Sequence, residues 1–337
     1  MNGAVNTRVL VTGASGFTGS HLAHLLADEG YEVRALVRPN ADVSALDAAH
    51  IQSGAIQLVE GDLLHHKTIE RAIAGCRHVY HVAALYRAAK HPDQMYWDVN
   101  VGGTNAVIEA CQQHGVERFL HCSTIGVHGG VDTIPADEQA PFAPSDIYQQ
   151  TKLAAEQDVR TAHASGLPIT IVRPAGIYGP GDLRFLKLFT LVKSGRFIMF
   201  GSGETFLHLV FVEDLVRGML LAVEHPGGLG ATMILAGEEY VSLNQLVRLV
   251  AQATNATTPR WRFPLWPLMT AAAGCEWLCR PLGIEPPLHR RRAAFFSKNR
   301  AFSIEHAQQA IGFAPQISLP EGLQRTADWY TSKNLLA

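Results

Sequence analysis

The sequence predicts an α/β protein whose core is a doubly wound parallel sheet, followed by a smaller and mainly helical lobe. The first 180 of the 337 residues alternate short apolar strands with helical segments, a pattern typical of a parallel sheet with helices on both faces. The alternation ends at the turn of residues 178–181, and helical spacing dominates afterwards. We therefore expect two domains, at residues 1–180 and 181–337, with an element near 206–215 returning to the first domain.

The elements of the first domain follow one another in a regular order. Its first strand, residues 8–12, is a short β-branched run, and its first helix places Leu22, Leu25 and Leu26 on one face. Strands are predicted at residues 8–12, 33–37, 56–59, 79–83, 118–123 and 169–173, and helices at residues 19–29, 68–74, 99–114 and 148–165. In the second domain, helices are predicted at residues 183–194, 213–225, 242–254 and 304–311.

The composition limits the function classes. Charged residues make up 17% of the chain and apolar residues 47%, with a formal net charge of −2. This excludes intrinsic disorder and offers no basic field for nucleic acid. The five cysteines are scattered and not at metal-ligand spacing, which favours reduced thiols and predicts no metal site. Because the start is short and polar and no apolar run reaches about 18 residues, we expect a cytoplasmic protein.

A glycine-rich loop directly follows the first strand. Gly13, Gly16 and Gly19 form G-x-x-G-x-x-G at the opening of a helix. Without side chains there, the backbone N–H groups and the helix N-terminus can approach a pyrophosphate. We therefore predict a dinucleotide site. Its contacts include the three glycines and the residues between them, Ser15, Phe17 and Thr18.

The end of the second strand indicates which dinucleotide binds. NAD sites usually place Asp or Glu there, on the ribose 2′-hydroxyl. In this chain Val37 holds the acid position and Arg38 follows it. A guanidinium suits a 2′-phosphate, so NADP(H) is the expected cofactor and NAD(H) the second choice.

Tyr148 and Lys152 form Y-x-x-x-K at the head of a predicted helix, where a spacing of four places both on one face. A lysine ammonium stabilises phenolate and lowers the pKa of a phenol, so the pair can exchange a proton with a substrate oxygen. The fifth strand ends in Ser123-Thr124, at the edge where ligands bind in parallel sheets. Either hydroxyl can bond the substrate oxygen.

Taken together, these motifs resemble the extended short-chain dehydrogenase/reductases over essentially the whole chain. The resemblance implies that Tyr148 transfers the proton, that Lys152 also holds the nicotinamide ribose, and that the substrate-bonding hydroxyl is Thr124, with Ser123 as its rival. It further implies cofactor contacts from segments matching that family, namely Asp62, Leu63, Ala83, Ala84, Asn100, Pro174 and Ala175.

Within the family, the sequence is most similar to the 3β-hydroxysteroid dehydrogenase, sterol-4α-carboxylate dehydrogenase and dihydroflavonol reductase group. The segment from Arg173 to Asp182 resembles that group, and Gly176 replaces the Asn usual in the nucleotide-sugar branch. The expected reaction interconverts a secondary alcohol and a ketone on an apolar substrate. The expected substrate contacts are Tyr86, Ile125, Gly176, Ile177, Phe185 and Phe189. A nucleotide-sugar epimerase or dehydratase is the alternative, and a non-catalytic NADP-binding sensor is the second.

The second domain is rich in aromatic residues, with Trp261, Phe263, Trp266, Trp277 and Leu278 in one apolar stretch. The adjoining segment from residue 280 to 300 has six basic residues and one acid. A basic stretch beside an aromatic one is compatible with a peripheral contact to an anionic membrane, and equally with a solvated face. Both interpretations of this segment stay open at this point. Whether the chain forms a homodimer is also left open.

Overall fold

The computed structural model describes residues 7–86, 91–279 and 294–336, without the side chains of residues 276–278 and 294. The strands are β1 (Arg8–Thr12), β2 (Glu32–Val37), β3 (Ile56–Glu60), β4 (His78–His81), β5 (Arg118–Cys122), β6 (Ile169–Pro174), β7 (Gly176–Tyr178), β8 (Met199–Phe200), β9 (Phe206–Phe211), β10 (Thr232–Leu235), β11 (Tyr240–Ser242) and β12 (Arg262–Phe263). Seven of them form a parallel sheet in the order β10-β6-β5-β4-β1-β2-β3. This confirms the predicted fold class.

Helices cover both faces of this sheet and form most of the lobe. They are α1 (Phe17–Asp28), α2 (Ala48–Ser53), α3 (His66–Ile73), α4 (Asp93–Tyr96), α5 (Gly103–Gln113), α6 (Ile147–Ala164), α7 (Leu186–Lys193), α8 (Val212–Glu224), α9 (Leu243–Ala253), α10 (Leu265–Cys279), α11 (Glu305–Ile311) and α12 (Leu319–Ser332). A π-helical segment, Trp97–Gly102, joins α4 to α5, so the long helix predicted at residues 99–114 has a wider turn in its first half. None of the described helices is long and apolar enough to cross a lipid bilayer.

The chain after residue 181 contributes to both parts of the molecule. β9, expected near the main sheet, instead pairs with β7 and β11 in a separate three-stranded sheet. Helix α8 packs on α1 and on the main sheet. β10 extends the main sheet beside β6. The sequence did not predict β10, because a buried strand of four residues shows no alternation to distinguish it from a helix.

The core is divided among three clusters of apolar side chains. One lies between the main sheet and α1 and α8, and a second lies between the opposite face and α3, α5 and α6. The third fills the lobe between α7, α9, α12 and the small sheet. Because the main strands are parallel, their carboxyl ends all meet one edge of the sheet, and the lobe adjoins that edge. The cavity described next lies there, as expected for a doubly wound fold.

Candidate active site

The glycine loop packs too closely for side chains. A Cβ built on Gly13, whose φ is +72°, lies 2.9 Å from backbone atoms of Ala83, and one on Gly19 lies 2.1 Å from the Gly13 carbonyl oxygen. Helix α1 begins at Phe17 after Gly16, which provides no side-chain cap. The first N–H groups of α1 are therefore available to an anion, as a pyrophosphate requires.

A cavity of about 1200 Å³ extends from this loop, along the strand ends, into the lobe. It collects most of the side chains that the sequence predicts for the site. The predicted residues that line it are Gly13, Ser15, Gly16, Phe17, Thr18, Gly19, Arg38, Asp62, Leu63, Ala83, Ala84, Tyr86, Ser123, Thr124, Ile125, Tyr148, Pro174, Ala175, Gly176, Ile177 and Phe185. Three predicted residues lie outside the lining: Asn100, Lys152 and Phe189.

Arg38 is the first residue after β2 and lies exposed at the wall of the cavity. The residue before it, Val37, is buried in the sheet core, so β2 carries no carboxylate at its end. Within the described parts of the chain, no acid forms an ion pair with Arg38. Its guanidinium therefore keeps its hydrogen-bonding capacity for an anionic ligand.

Tyr148 is half-buried in the second position of α6 and faces the cavity. The helix begins there because the Asp146 side chain accepts a hydrogen bond from the Gln149 backbone N–H at 2.9 Å. The ring of Tyr86 meets the Tyr148 ring edge-on, with 4.9 Å between centroids. Two phenols predicted separately, one as catalytic and one as a substrate contact, thus lie side by side.

Asn100, predicted as a cofactor contact, is buried behind the cavity wall. Its amide oxygen accepts from the Leu85 N–H at 2.7 Å, and its amide nitrogen donates to the Leu85 carbonyl and to Thr151. The side chain is therefore occupied in tying α6 to the segment that carries Tyr86. Asn100 positions the wall of the site rather than lining it.

Lys152 follows Tyr148 by one helical turn but is fully buried. Its ammonium donates to Nε2 of His121 at 3.2 Å. Burial lowers the pKa of Lys152 to about 8, opposed by Cys122 and Glu156. Burial, followed by the Lys152 charge, holds the pKa of His121 well below its ordinary value. His121 is therefore a neutral acceptor for the ammonium, a partner that the motif alone did not reveal.

The two candidate hydroxyls after β5 have different partners. Ser123 donates to Glu156 at 2.6 Å, and Glu156 forms a fully buried ion pair with Arg173, also at 2.6 Å. Thr124 accepts a hydrogen bond from the Gly126 N–H at 3.0 Å. The Ser123 hydroxyl proton is thus engaged by Glu156. Thr124 only accepts a hydrogen bond from Gly126, so its hydroxyl proton can point into the cavity. The geometry favours Thr124, the hydroxyl that the family resemblance implies.

Phe189, predicted as a substrate contact, is in the lobe core. It is fully buried and meets Tyr330 edge-on at 5.2 Å between centroids. The cavity is instead lined by Phe185, Leu188 and Leu191, because the helical repeat of α7 turns these residues toward one side and Phe189 toward the other. The prediction of Phe189 was wrong, because the sequence does not show which side of α7 an aromatic residue faces.

Arg184 is a cavity residue that the sequence analysis did not single out. Its guanidinium donates to the buried carboxylate of Asp182 at 2.6 Å and to the Ile177 carbonyl at 2.8 Å. It lies over the rings of Phe17 and Tyr86, at 5.4 and 5.6 Å, and so connects the glycine loop to the tyrosine pair. The sequence feature that could have indicated Arg184 is its place two residues after the Gly181-Asp182 turn. Other lining residues not predicted as contacts include Lys187, Leu188, Leu191, Phe197, Leu207, His208, Phe295 and Arg300.

The fold and this site define an NAD(P)-dependent oxidoreductase built on a Rossmann-type sheet, with a tyrosine, a lysine and a hydroxyl residue at the carboxyl edge. The glycine cradle and the uncapped helix fit the pyrophosphate of such a cofactor. Residues 9–236 match the NAD dependent epimerase/dehydratase family, and the chain belongs to that family, as an extended short-chain dehydrogenase/reductase.

Named relatives and solved structures agree with this assignment. The chain is 31% identical to a 3-beta-hydroxysteroid dehydrogenase of Mycolicibacterium neoaurum, over 96% of this chain and 91% of the relative. It is 29% identical to the sterol-4-alpha-carboxylate 3-dehydrogenase erg26, decarboxylating, of Schizosaccharomyces pombe, over 95% and 96% of the two chains. The crystal structure of gox2253 superposes with a TM-score of 0.83 at 31% identity, covering 98% of this chain and all of that one (100%).

Proposed function

We propose that the protein uses NADP(H) to interconvert a secondary alcohol and a ketone on an apolar, steroid-, sterol- or flavonol-like substrate. The observation that carries this proposal is the lining of the lobe half of the cavity. It is largely aliphatic and aromatic, with Phe185, Leu188, Leu191, Phe197, Leu207 and Phe295. A pocket of this kind gains affinity by removing apolar surface from water. The relatives named as hydroxysteroid and sterol-carboxylate dehydrogenases support the same substrate class.

Arg38 supports NADP(H) as the preferred cofactor. It lines the cavity at the end of β2, where the carboxylate that would bond a ribose 2′-hydroxyl is missing. A 2′-phosphate placed there would accept charge-assisted hydrogen bonds from the guanidinium. The family as a whole binds nicotinamide dinucleotides, and Arg38 is the residue from which we infer the phosphorylated form.

We assign the site residues the roles that the family resemblance implies. Thr124 donates a hydrogen bond to the substrate oxygen, while its own oxygen stays fixed by the Gly126 N–H. Tyr148 exchanges the proton with that oxygen. Lys152 stabilises the phenolate by its charge, and His121 holds the ammonium from behind. When bound, the nicotinamide supplies or accepts the hydride.

A nucleotide-sugar epimerase or dehydratase is the second candidate function. The observation that favours it is the presence of three cations, Arg184, Lys187 and Arg300, in the lining of the same half of the cavity. Such residues suit a diphosphate. Arg184 is already paired with Asp182, however, and the surrounding lining is apolar, so we rank this function second.

A substrate panel separates the two candidates. Purified protein is incubated with NADPH and, in turn, a 3-ketosteroid, a sterol ketone and a flavonol precursor, and separately with NAD⁺ or NADP⁺ and a nucleotide sugar. We expect net loss of the reduced-nicotinamide absorbance with at least one apolar ketone. Conversion of the nucleotide sugar without net change in nicotinamide absorbance would replace this proposal with the second function. Saturable NADPH binding without turnover of any compound would favour a non-catalytic sensor.

A further inference from the structure

One face of the lobe exposes a group of large apolar side chains, here called the aromatic shoulder. It consists of Ile198, Trp261, Phe263 and Trp266, and the two tryptophans are 66% and 70% exposed. Ile198, Trp261 and Phe263 are neighbours because β12 pairs with β8, so that the Met199 N–H bonds the Trp261 carbonyl at 3.0 Å. Trp266 follows three residues after Phe263, in the first turn of α10. Single exposed apolar residues are ordinary, but a contiguous group of this size marks a binding surface.

Helix α10 extends the shoulder. Between Leu265 and Cys275 its sequence is apolar or small all around the helix, with Thr270 as the exception. Of the α10 side chains that the structure describes, only Ala272 is buried. A helix on the surface of a globular protein normally turns a polar face to water. α10 has no such face over these residues, so it is suited to an apolar environment outside the chain.

Basic residues predominate around the shoulder, and the nearby acid Glu204 is linked to Arg262 through the Asn244 amide. Arg196, Arg260 and Arg262 are exposed beside it, and residues 256–275 contain no Asp or Glu. The basic segment for which the sequence leaves a membrane contact open, residues 280–300, lies mostly outside the described residues. Tryptophan beside arginine, around an apolar patch, is the composition of surfaces that rest at the boundary of an anionic bilayer.

A chain of aromatic rings connects the shoulder to the cavity. Phe263 lies 6.4 Å from Phe200, which meets Phe296 at 5.5 Å between centroids. Phe296 in turn lies 5.3 Å from Phe295 and 6.5 Å from Phe197. Phe295 and Phe197 both line the cavity. The shoulder is thus continuous, through apolar contacts, with the lobe half of the candidate active site.

We propose that the aromatic shoulder and the first turns of α10 dock on an anionic lipid bilayer, with the cavity opening beside the docked face. Docking itself does not depend on the proposed substrate, although an apolar substrate dissolved in lipid would have a short route inward along the aromatic rings. A second copy of the chain is a poorer occupant. A symmetric contact would bring together the arginines of both copies, of which residues 196–204 and 256–275 hold three in each copy against one acid, Glu204.

Vesicle co-sedimentation of the full chain tests this proposal. The probes are vesicles of phosphatidylcholine alone and vesicles of phosphatidylcholine with phosphatidylglycerol. We expect binding to the anionic vesicles that weakens with added salt. The double variant Trp261→Ser/Trp266→Ser should bind at least about tenfold more weakly, since it removes the two most exposed aromatic side chains of the shoulder. Arg196→Gln/Arg260→Gln should lower the preference for anionic over neutral vesicles.

Leu229→Ser is the matched control, because Leu229 is also exposed (46%) but lies outside the shoulder; it should bind vesicles like the unsubstituted chain. Thermal melting and NADPH titration of each variant check the fold. Absence of vesicle binding by the unsubstituted chain overturns the proposal, as does equal binding by a folded tryptophan double variant. Dimers that dissociate in the double variant, without vesicle binding, would assign the shoulder to a second copy and overturn it too. Failure of the substrate panel leaves this result unchanged, so the two proposals fail separately.

Discussion

The two halves of the cavity are constructed in different ways. The cofactor half is formed by strand ends and the glycine loop, where backbone atoms come within 3 Å of any added Cβ at Gly13. Behind it lie buried polar groups, among them the pair of Glu156 and Arg173. The lobe half is formed by side chains from α7, the small sheet and the segment after residue 294. The first half is thus rigid and intolerant of change, whereas the second can vary in shape without disturbing the chemistry.

The sharpest test of the cofactor half is Tyr148→Phe. Removing the hydroxyl takes away the proton donor but not the ring that packs on Tyr86. We expect kcat to fall about 10²–10⁴-fold, with cofactor affinity retained in a fluorescence titration. Tyr86→Phe is the matched control and should keep most of its turnover. Equal losses in both variants would contradict the assignment of Tyr148 as the proton-transfer residue.

Among the predicted effects on stability, we expect the largest from a substitution in the buried polar network behind the site. Glu156→Gln leaves Arg173 buried without its ion-pair partner, and we expect the free energy of unfolding to fall by about 3–5 kcal/mol, measured by urea denaturation. Glu117→Gln removes a pair of similar length, with Arg77 at 2.6 Å, but on the surface. That change should cost less than about 1 kcal/mol. Similar losses would show that burial does not distinguish the two regions.

Arg38→Ser tests cofactor choice without touching the catalytic residues. A charge-assisted hydrogen bond contributes about 1.5–3 kcal/mol, so NADPH affinity should fall roughly tenfold to a hundredfold. NADH affinity should change little, because that cofactor offers no 2′-phosphate. Parallel titrations with the two cofactors measure both effects. Equal weakening of both, or none, would contradict the inferred role of Arg38.

The smallest effect expected is on acid stability. His81 is buried between Thr12 and Thr104, and burial, followed by the Lys152 charge, lowers its pKa to about 3. Below pH 6.5 His81 takes up a proton in the unfolded chain but stays neutral in the folded protein. The free energy of unfolding therefore falls between pH 6.5 and about pH 3. At pH 5 this loss is roughly 2 kcal/mol from this group. Urea denaturation at pH 7 and pH 5 should show a smaller decrease in the free energy of unfolding for His81→Gln than for the unsubstituted chain. An equal decrease in both would contradict the role of His81.

Prediction from sequence worked best where function depends on residues close together in the chain. The glycine loop, Arg38 and the Tyr148 motif are each a few residues long and adjoin a predicted element, and the glycine loop, Arg38 and Tyr148 itself all line one cavity. Prediction failed where the orientation of a helix about its own axis decides which of its residues face the cavity. Phe189 and Leu188 are adjacent in the sequence, yet only Leu188 lines the cavity. Without the packing of α7 on the lobe, nothing distinguishes the two.

By itself, therefore, the sequence determined the fold class, the glycine loop and the spacing of the proposed proton-transfer pair, because local spacing and hydrophobic pattern set these features. Only the tertiary structure decided which hydroxyl keeps its proton, since Ser123 meets Glu156 across the sheet. Only the tertiary structure, too, shows that Lys152 donates a hydrogen bond to His121 and that a series of aromatic rings connects the cavity to an exposed face. Such contacts join residues far apart in the chain, and no local pattern encodes them.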